Sequence, residues 1–66
     1  MMKLWTYVGK NVLIELTDGL KFTGKAIDYD DEVANESGED SIILDNDMGG
    51  LYDFNESEIK SIKILD

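Results

Sequence analysis

The stretch GKNVLIELTDGLKFTG, residues 9–24, decides the fold that we predict for this chain of 66 residues. Apolar side chains alternate with other residues over 12–16, a pattern typical of a half-buried strand. The Asp-Gly pair at 18–19 follows almost directly and favours a two-residue hairpin turn, because both residue types tolerate positive φ angles. The next strand begins at once, and we expect Leu20 and Phe22 to face the core. The stretch therefore predicts an antiparallel hairpin.

The rest of the chain continues as short strands. After Gly24 the apolar residues are Ala26, Ile27 and Tyr29, so the alternation changes phase. A glycine at such a change indicates a bulge or a sharp bend, which lets a small sheet curl toward a barrel. Further strands are predicted at 41–44, 51–54 and 59–65, with a helical lid at 1–8, a polar loop at 30–40, a turn at 45–50 and a corner at 55–58. We therefore predict an all-β fold: a small five-stranded antiparallel barrel with a short N-terminal helix, forming one domain over residues 1–66.

The composition excludes several classes of active site. The chain has no Cys and no His, and its six basic residues are all Lys. Disulfides, thiolate nucleophiles, imidazole acid–base catalysis and ordinary zinc sites are thereby excluded. The acidic residues lie mainly in loops and turns, so we predict no enzyme, no cofactor and no metal site. Residues 45–49 resemble only the start of a calcium-binding loop, and we interpret them as a hairpin turn.

No part of the chain has the sequence of a membrane segment or a secretory leader. No apolar run approaches the roughly 18 residues that a membrane span requires. No basic and then apolar leader is present either. We therefore expect a cytoplasmic protein without a membrane partner.

The negative charge is concentrated in one part of the chain. With 15 acidic and 6 basic residues, the formal net charge is −9, and no basic residue lies between Lys25 and Lys60. This interval holds twelve of the acidic residues, Asp28, Asp30, Asp31, Glu32, Glu36, Glu39, Asp40, Asp45, Asp47, Asp53, Glu56 and Glu58. One interpretation is a solvated acidic loop that keeps a small protein soluble. The other is a surface that binds a basic protein, since nucleic-acid-binding surfaces are normally basic.

Residues 9–24 resemble the first half of the Sm1 motif of the Sm-like (LSm) family. That motif is a hydrophobic strand, an Asp-Gly turn, an aliphatic or aromatic residue and a Gly. Tyr29 and Asp30 resemble its aromatic-Asp pair, and Asn35 resembles its loop Asn. The resemblance implies an Sm-like or SH3-like barrel that forms rings, in which the fourth strand of one subunit pairs with the fifth strand of the next. It also implies RNA binding at the loop.

The sequence departs from the family pattern where RNA would bind. Asn35 follows Asp30 by five residues instead of four, and residues 31–34 offer no aromatic ring on which a base could stack. Asn55 and Glu56 stand where the Sm2 half of the family has its basic residue and Gly. The uridine site that the resemblance implies is therefore altered.

These observations give one set of candidate binding residues and several candidate partners. The candidates are Tyr29, Asp30, Asp31, Glu32, Asn35 and Asn55. The first hypothesis is a non-enzymatic Sm-like binding and assembly module. It would form a homo-oligomer, which is ring-shaped in this family, and would associate with RNA at the altered uridine site against an unfavourable charge. The alternative is an acidic module that blocks a basic surface of a nucleic-acid-binding protein, similar in kind to the small acidic Sm-like inhibitor of the Rho transcription terminator. A structural subunit of a larger assembly stays open as a third hypothesis. The six aromatic residues are interpreted as core or subunit contacts, because no basic residues are interleaved with them.

Overall fold

A computed structural model describes residues 3–31, 33, 38–46 and 48–65. One antiparallel sheet of five strands, in the order β4-β3-β2-β1-β5, forms most of the structure. The strands are β1 (Asn11–Leu16), β2 (Lys21–Asp30), β3 (Ser41–Asp45), β4 (Leu51–Asn55) and β5 (Ile59–Ile64), and two 3-10 helices are η1 (Leu4–Tyr7) and η2 (Glu56–Glu58). The predicted all-β fold with five antiparallel strands is therefore confirmed. The predicted N-terminal helix is a single 3-10 turn, and residues 1 and 2 of that prediction lie outside the described residues.

The long strand β2 bends the sheet around its core. Its first half pairs with β1, from Lys21 opposite Glu15 to Lys25 opposite Asn11. Its second half pairs with β3, from Lys25 to Asp30. Because one strand serves two partners in succession, the sheet folds into two halves that face each other.

The helix η2 connects the two edge strands, β4 and β5. The amide of Glu56 donates to the carbonyl of Asp40, 2.8 Å away, and the amide of Thr17 donates to the carbonyl of Glu58, 3.0 Å away. Asn55 and Glu58 form a capping box, in which the Asn55 amide donates to Oε1 of Glu58 at 3.0 Å. The corner predicted at 55–58 is thus a capped helical turn. Its hydrogen bonds connect the residue before β3 with the residue after β1.

The phase change in β2 lies further along the chain than expected. The register between β2 and β3 shifts between Ala26 and Asp28, so Ile27 is the extra residue of the bulge. Gly24 still pairs in regular register with Val12. Gly24 is required for a different reason, because the backbone of β3 comes close to it. A Cβ at Gly24 would lie 2.7 Å from the carbonyl oxygen of Asp45. The predicted bulge is real, but Gly24 is needed for the packing of β3 against β2.

The core lies between the two halves of the sheet. It consists of the buried side chains of Leu4, Val12, Ile14, Ala26, Ile42, Leu44, Phe54 and Ile59. Phe22 packs against this cluster as expected. The expectation for Leu20 was wrong: it is 56% exposed, because it precedes β2 within the turn, where its amide donates to Oδ1 of Asp18 at 3.0 Å.

Candidate partner-binding site at the acidic end

Two of the candidate residues, Asp30 and Asn55, lie at the same end of the sheet. Asp30 pairs with Ser41, and Ser41 pairs with Asn55 on its other side. The two candidates are therefore separated by two strand spacings, about 10 Å, although 25 positions separate them in the sequence. The register of the sheet brings them together.

The polar loop after β2 adds further carboxylates. Asp31 is exposed, and its Oδ1 accepts a hydrogen bond of 3.1 Å from the amide of Val33. Glu32 and Asn35, which were predicted as site residues, lie outside the described residues. The position of the loop Asn that the family resemblance implies is therefore not described.

Glu39 and Asp40 connect the loop to η2. The Glu39 carboxylate accepts hydrogen bonds from the amide of Ser57 at 2.8 Å and from its hydroxyl at 3.1 Å. The carbonyl of Asp40 accepts from the amide of Glu56. Because these bonds fix the end of the loop against η2, and Ser41 pairs with Asp30, both segments lie at the Asp30 end of the sheet. We call the carboxylates of Asp30, Asp31, Glu39, Asp40, Glu56 and Glu58 the acidic end.

An exposed aromatic side chain packs on Tyr29, the residue before Asp30. The ring of Tyr29 is half-buried, and its centroid lies 5.9 Å from that of Trp5 with an interplanar angle of 57°. Trp5 is 47% exposed. The interpretation of the aromatic residues as core or subunit contacts fits Phe54, but it did not single out Trp5 as a surface residue. The close centroids are typical of a tilted aromatic pair, so Tyr29 supports Trp5 from one side.

A buried hydroxyl group at this end lacks a hydrogen bond. Ser41, which lies between Asp30 and Asn55, is fully buried. Within the part of the chain that the structure describes, its Oγ has no hydrogen-bond partner. An unsatisfied buried hydroxyl costs about 1–3 kcal/mol. Ser41 is thus a buried polar position between the two candidate residues.

Sequence reasoning missed four members of the acidic end, Glu39, Asp40, Glu56 and Glu58. The sequence places them in a loop and a corner 16 or more positions apart, and only their hydrogen bonds join the two segments. The pattern Asn-Glu-Ser-Glu at 55–58 is itself a capping signal, which could have indicated the local structure but not its neighbours.

The described residues include no group of three carboxylates arranged to hold a metal ion. In the same ranges, no helix is both long enough and apolar enough to cross a membrane.

Comparisons with protein-family models, with curated proteins and with solved structures found no match to this chain.

Proposed function

We propose that this protein is a non-enzymatic binding module whose acidic end docks on a basic surface of another protein. One observation carries the proposal: carboxylates from the end of β2, the end of the loop and η2 lie at one end of the sheet, and the exposed Trp5 packs on Tyr29, the residue before Asp30.

The chemistry of this surface suits lysine and arginine side chains. Carboxylates gathered on one surface attract a positively charged partner over distance and orient it as it approaches. The exposed ring of Trp5 can bind a cation on its face, an interaction worth about 0.5–1 kcal/mol at an exposed site. A basic protein segment combines these features.

The same features oppose RNA at this site. A phosphate backbone would approach against the acidic end and a net charge of −9. Asn55, which stands at the basic position of the family pattern, has its side chain engaged in the capping box of η2. Tyr29 is half-buried beside Trp5, so its ring is less open for stacking on a base.

A second candidate function, an RNA-associated ring, rests on the edges of the sheet. Strands β4 and β5 are the outermost strands, and each has a neighbour on one side only. Unpaired edges of this kind allow strands of another copy to be added. The family resemblance implies this edge pairing, and rings of this type would sediment as hexamers or heptamers.

The proposal is tested by titrating the protein with a short lysine- and arginine-rich peptide and, separately, with oligouridine. Trp5 is the only tryptophan, so its fluorescence reports on the acidic end. The wild type is expected to bind the peptide, and the double variant D30N/D31N is expected to bind it about tenfold more weakly. Oligouridine is expected to leave the fluorescence unchanged.

The matched control is E15Q/D18N, which removes the same two charges from β1 and from the turn after it, outside the acidic end. Its affinity for the peptide should stay close to that of the wild type. Equal losses in the two variants would show that only net charge matters and would contradict a defined site. Oligouridine binding without peptide binding would favour the RNA-associated ring instead.

A further inference from the structure

The register of the strands places four of the six lysines on one surface of the sheet. In β1, Val12 and Ile14 are buried, so Asn11, Leu13 and Glu15 point to the outer surface. Their partners across the neighbouring strands share that surface: Lys63 and Thr23 flank Leu13, Ser61 and Lys21 flank Glu15, and Lys25 lies opposite Asn11. Lys60 belongs to it as well, because its Nζ lies 3.9 Å from Oε2 of Glu15. We call Lys21, Lys25, Lys60 and Lys63, with Leu13 at their centre, the lysine face.

The outer surface of the other half of the sheet carries the opposite charge. In β3, Ile42 and Leu44 are buried, so Ile43 points outward. Asp28 and Asp53 flank Ile43 on the two neighbouring strands. Asp45 lies two residues further along β3 and points to the same side. We call Asp28, Asp45 and Asp53, with Ile43 at their centre, the aspartate face.

The two faces match each other in charge and in the kind of residue at their centres. Each has a half-buried aliphatic side chain at its centre, Leu13 on one and Ile43 on the other, with like charges around it. The lysine face carries four positive charges and one carboxylate, Glu15, in a chain whose net charge is −9. Charged groups in both sets lie one or two strand spacings apart, about 5–10 Å, so the charges of one set can reach those of the other.

We propose that the lysine face of one copy docks on the aspartate face of a second copy. Leu13 then packs against Ile43, and the lysines surround the three aspartates. A second copy is the occupant that fits best, because it presents the complementary charges around an aliphatic centre, whereas a phosphate backbone has no group to place against Leu13. This contact does not depend on the proposed function, since the acidic end is a separate set of carboxylates.

The position of the two faces decides how copies assemble. They adjoin on the outer surface of the sheet, because Lys25 pairs with Asp45 across β2 and β3. Two copies related by a two-fold axis can therefore place the lysine face of each on the aspartate face of the other. This contact uses sheet faces, and it therefore differs from edge pairing of β4 with β5. The net charges of two copies repel, but at about 0.15 M salt this repulsion is screened beyond about 8 Å. The charges of the docked faces meet at shorter range than that.

Exchange of charges between the faces tests this contact by sedimentation at about 0.15 M salt. The lysine-face variant K21E/K63E and the aspartate-face variant D28K/D53K each carry two faces of like charge. Each is expected to self-associate at least about tenfold more weakly than the wild type. A mixture of the two variants again presents opposite charges, so it is expected to form mixed assemblies that neither variant forms alone. Circular dichroism verifies that each variant is folded.

The matched control is K3E/K10E, which shifts the net charge by the same four units, from −9 to −13, but leaves both faces unchanged. It is expected to associate at nearly wild-type strength. Three results would overturn the proposal: a monomeric wild type at high concentration, association unaffected by K21E/K63E, or no recovery in the mixture. If the wild type is monomeric and oligonucleotide binding is lost in K21E/K63E, the lysine face belongs to nucleic acid instead.

Discussion

Substitution of Gly24 by alanine is expected to destabilise the fold, because no space exists for a methyl group at this position. A Cβ there would lie 2.7 Å from the carbonyl oxygen of Asp45, 3.2 Å from its carbonyl carbon and 3.5 Å from Cβ of Leu44. The nearest atoms belong to the backbone of β3, so a side-chain rotation cannot relieve the contact. β3 must instead move away from β2, where the sheet bends around its core.

The magnitude follows from packing and from the size of the chain. Forcing an extra methyl group into a tightly packed site costs about 1–3 kcal/mol. The lower backbone entropy of alanine in the unfolded chain offsets about 0.4–1 kcal/mol of this. The net loss is therefore about 1–2 kcal/mol, in a domain whose total stability should be about 3–10 kcal/mol. For a domain of this size, that loss lowers Tm by roughly 5–15 °C.

Urea unfolding followed by circular dichroism and by Trp5 fluorescence measures this change. The matched control is Gly50→Ala, whose Cβ would meet only the Asn46 side chain, with Nδ2 at 3.1 Å. That amide can move, so the control should stay within about 0.5 kcal/mol of the wild type. If Gly24→Ala were as stable as Gly50→Ala, the close approach of β3 to β2 would be wrong.

Three further experiments test other parts of the fold. Asn55→Ala removes the cap of η2 and should lower stability by about 1 kcal/mol in thermal unfolding; an unchanged Tm would contradict the capping role. Leu4→Ala empties a fully buried position of η1 and should cost about 2–5 kcal/mol in urea unfolding, whereas a small effect would mean that η1 packs only loosely. Glu39→Gln and Ser57→Ala, combined in a double-mutant cycle, should show a coupling of about 0.5–3 kcal/mol. Additive effects would argue against the hydrogen bond between the Ser57 hydroxyl and the Glu39 carboxylate, since Ser57→Ala leaves the backbone amide in place.

The strands could be predicted from the sequence because their signals are local. Alternation at residues 12–16 and the Asp-Gly pair at 18–19 describe neighbours in the chain, and both predict the β1–β2 hairpin that the structure contains. The bulge was harder to place, since alternation shows only that the phase changes between Gly24 and Tyr29. Leu20 was misplaced for a related reason: apolar character alone does not show where a turn ends and a strand begins.

The surfaces could be predicted only in part, because they depend on contacts between distant segments. The run without lysines already indicated an acidic region, and Asp30 and Asn55 were candidates from the sequence. The connection of Glu39 to Ser57, however, spans 18 positions and comes from hydrogen bonds between a loop and a corner. Likewise, Lys63 lies near Lys21 only because β1 pairs with both β2 and β5. Register across strands cannot be read from periodicity along one strand.

Mapping of amide chemical shifts by NMR during titration with the lysine- and arginine-rich peptide tests the proposed function most directly. The proposal predicts shifts concentrated at Asp30, Asp31, residues 39–41 and residues 55–58, together with the indole of Trp5, and their loss in D30N/D31N. Shifts spread evenly over all carboxylates would contradict a defined partner-binding site. So would a peptide that causes no shifts at the acidic end while oligouridine shifts these same amides.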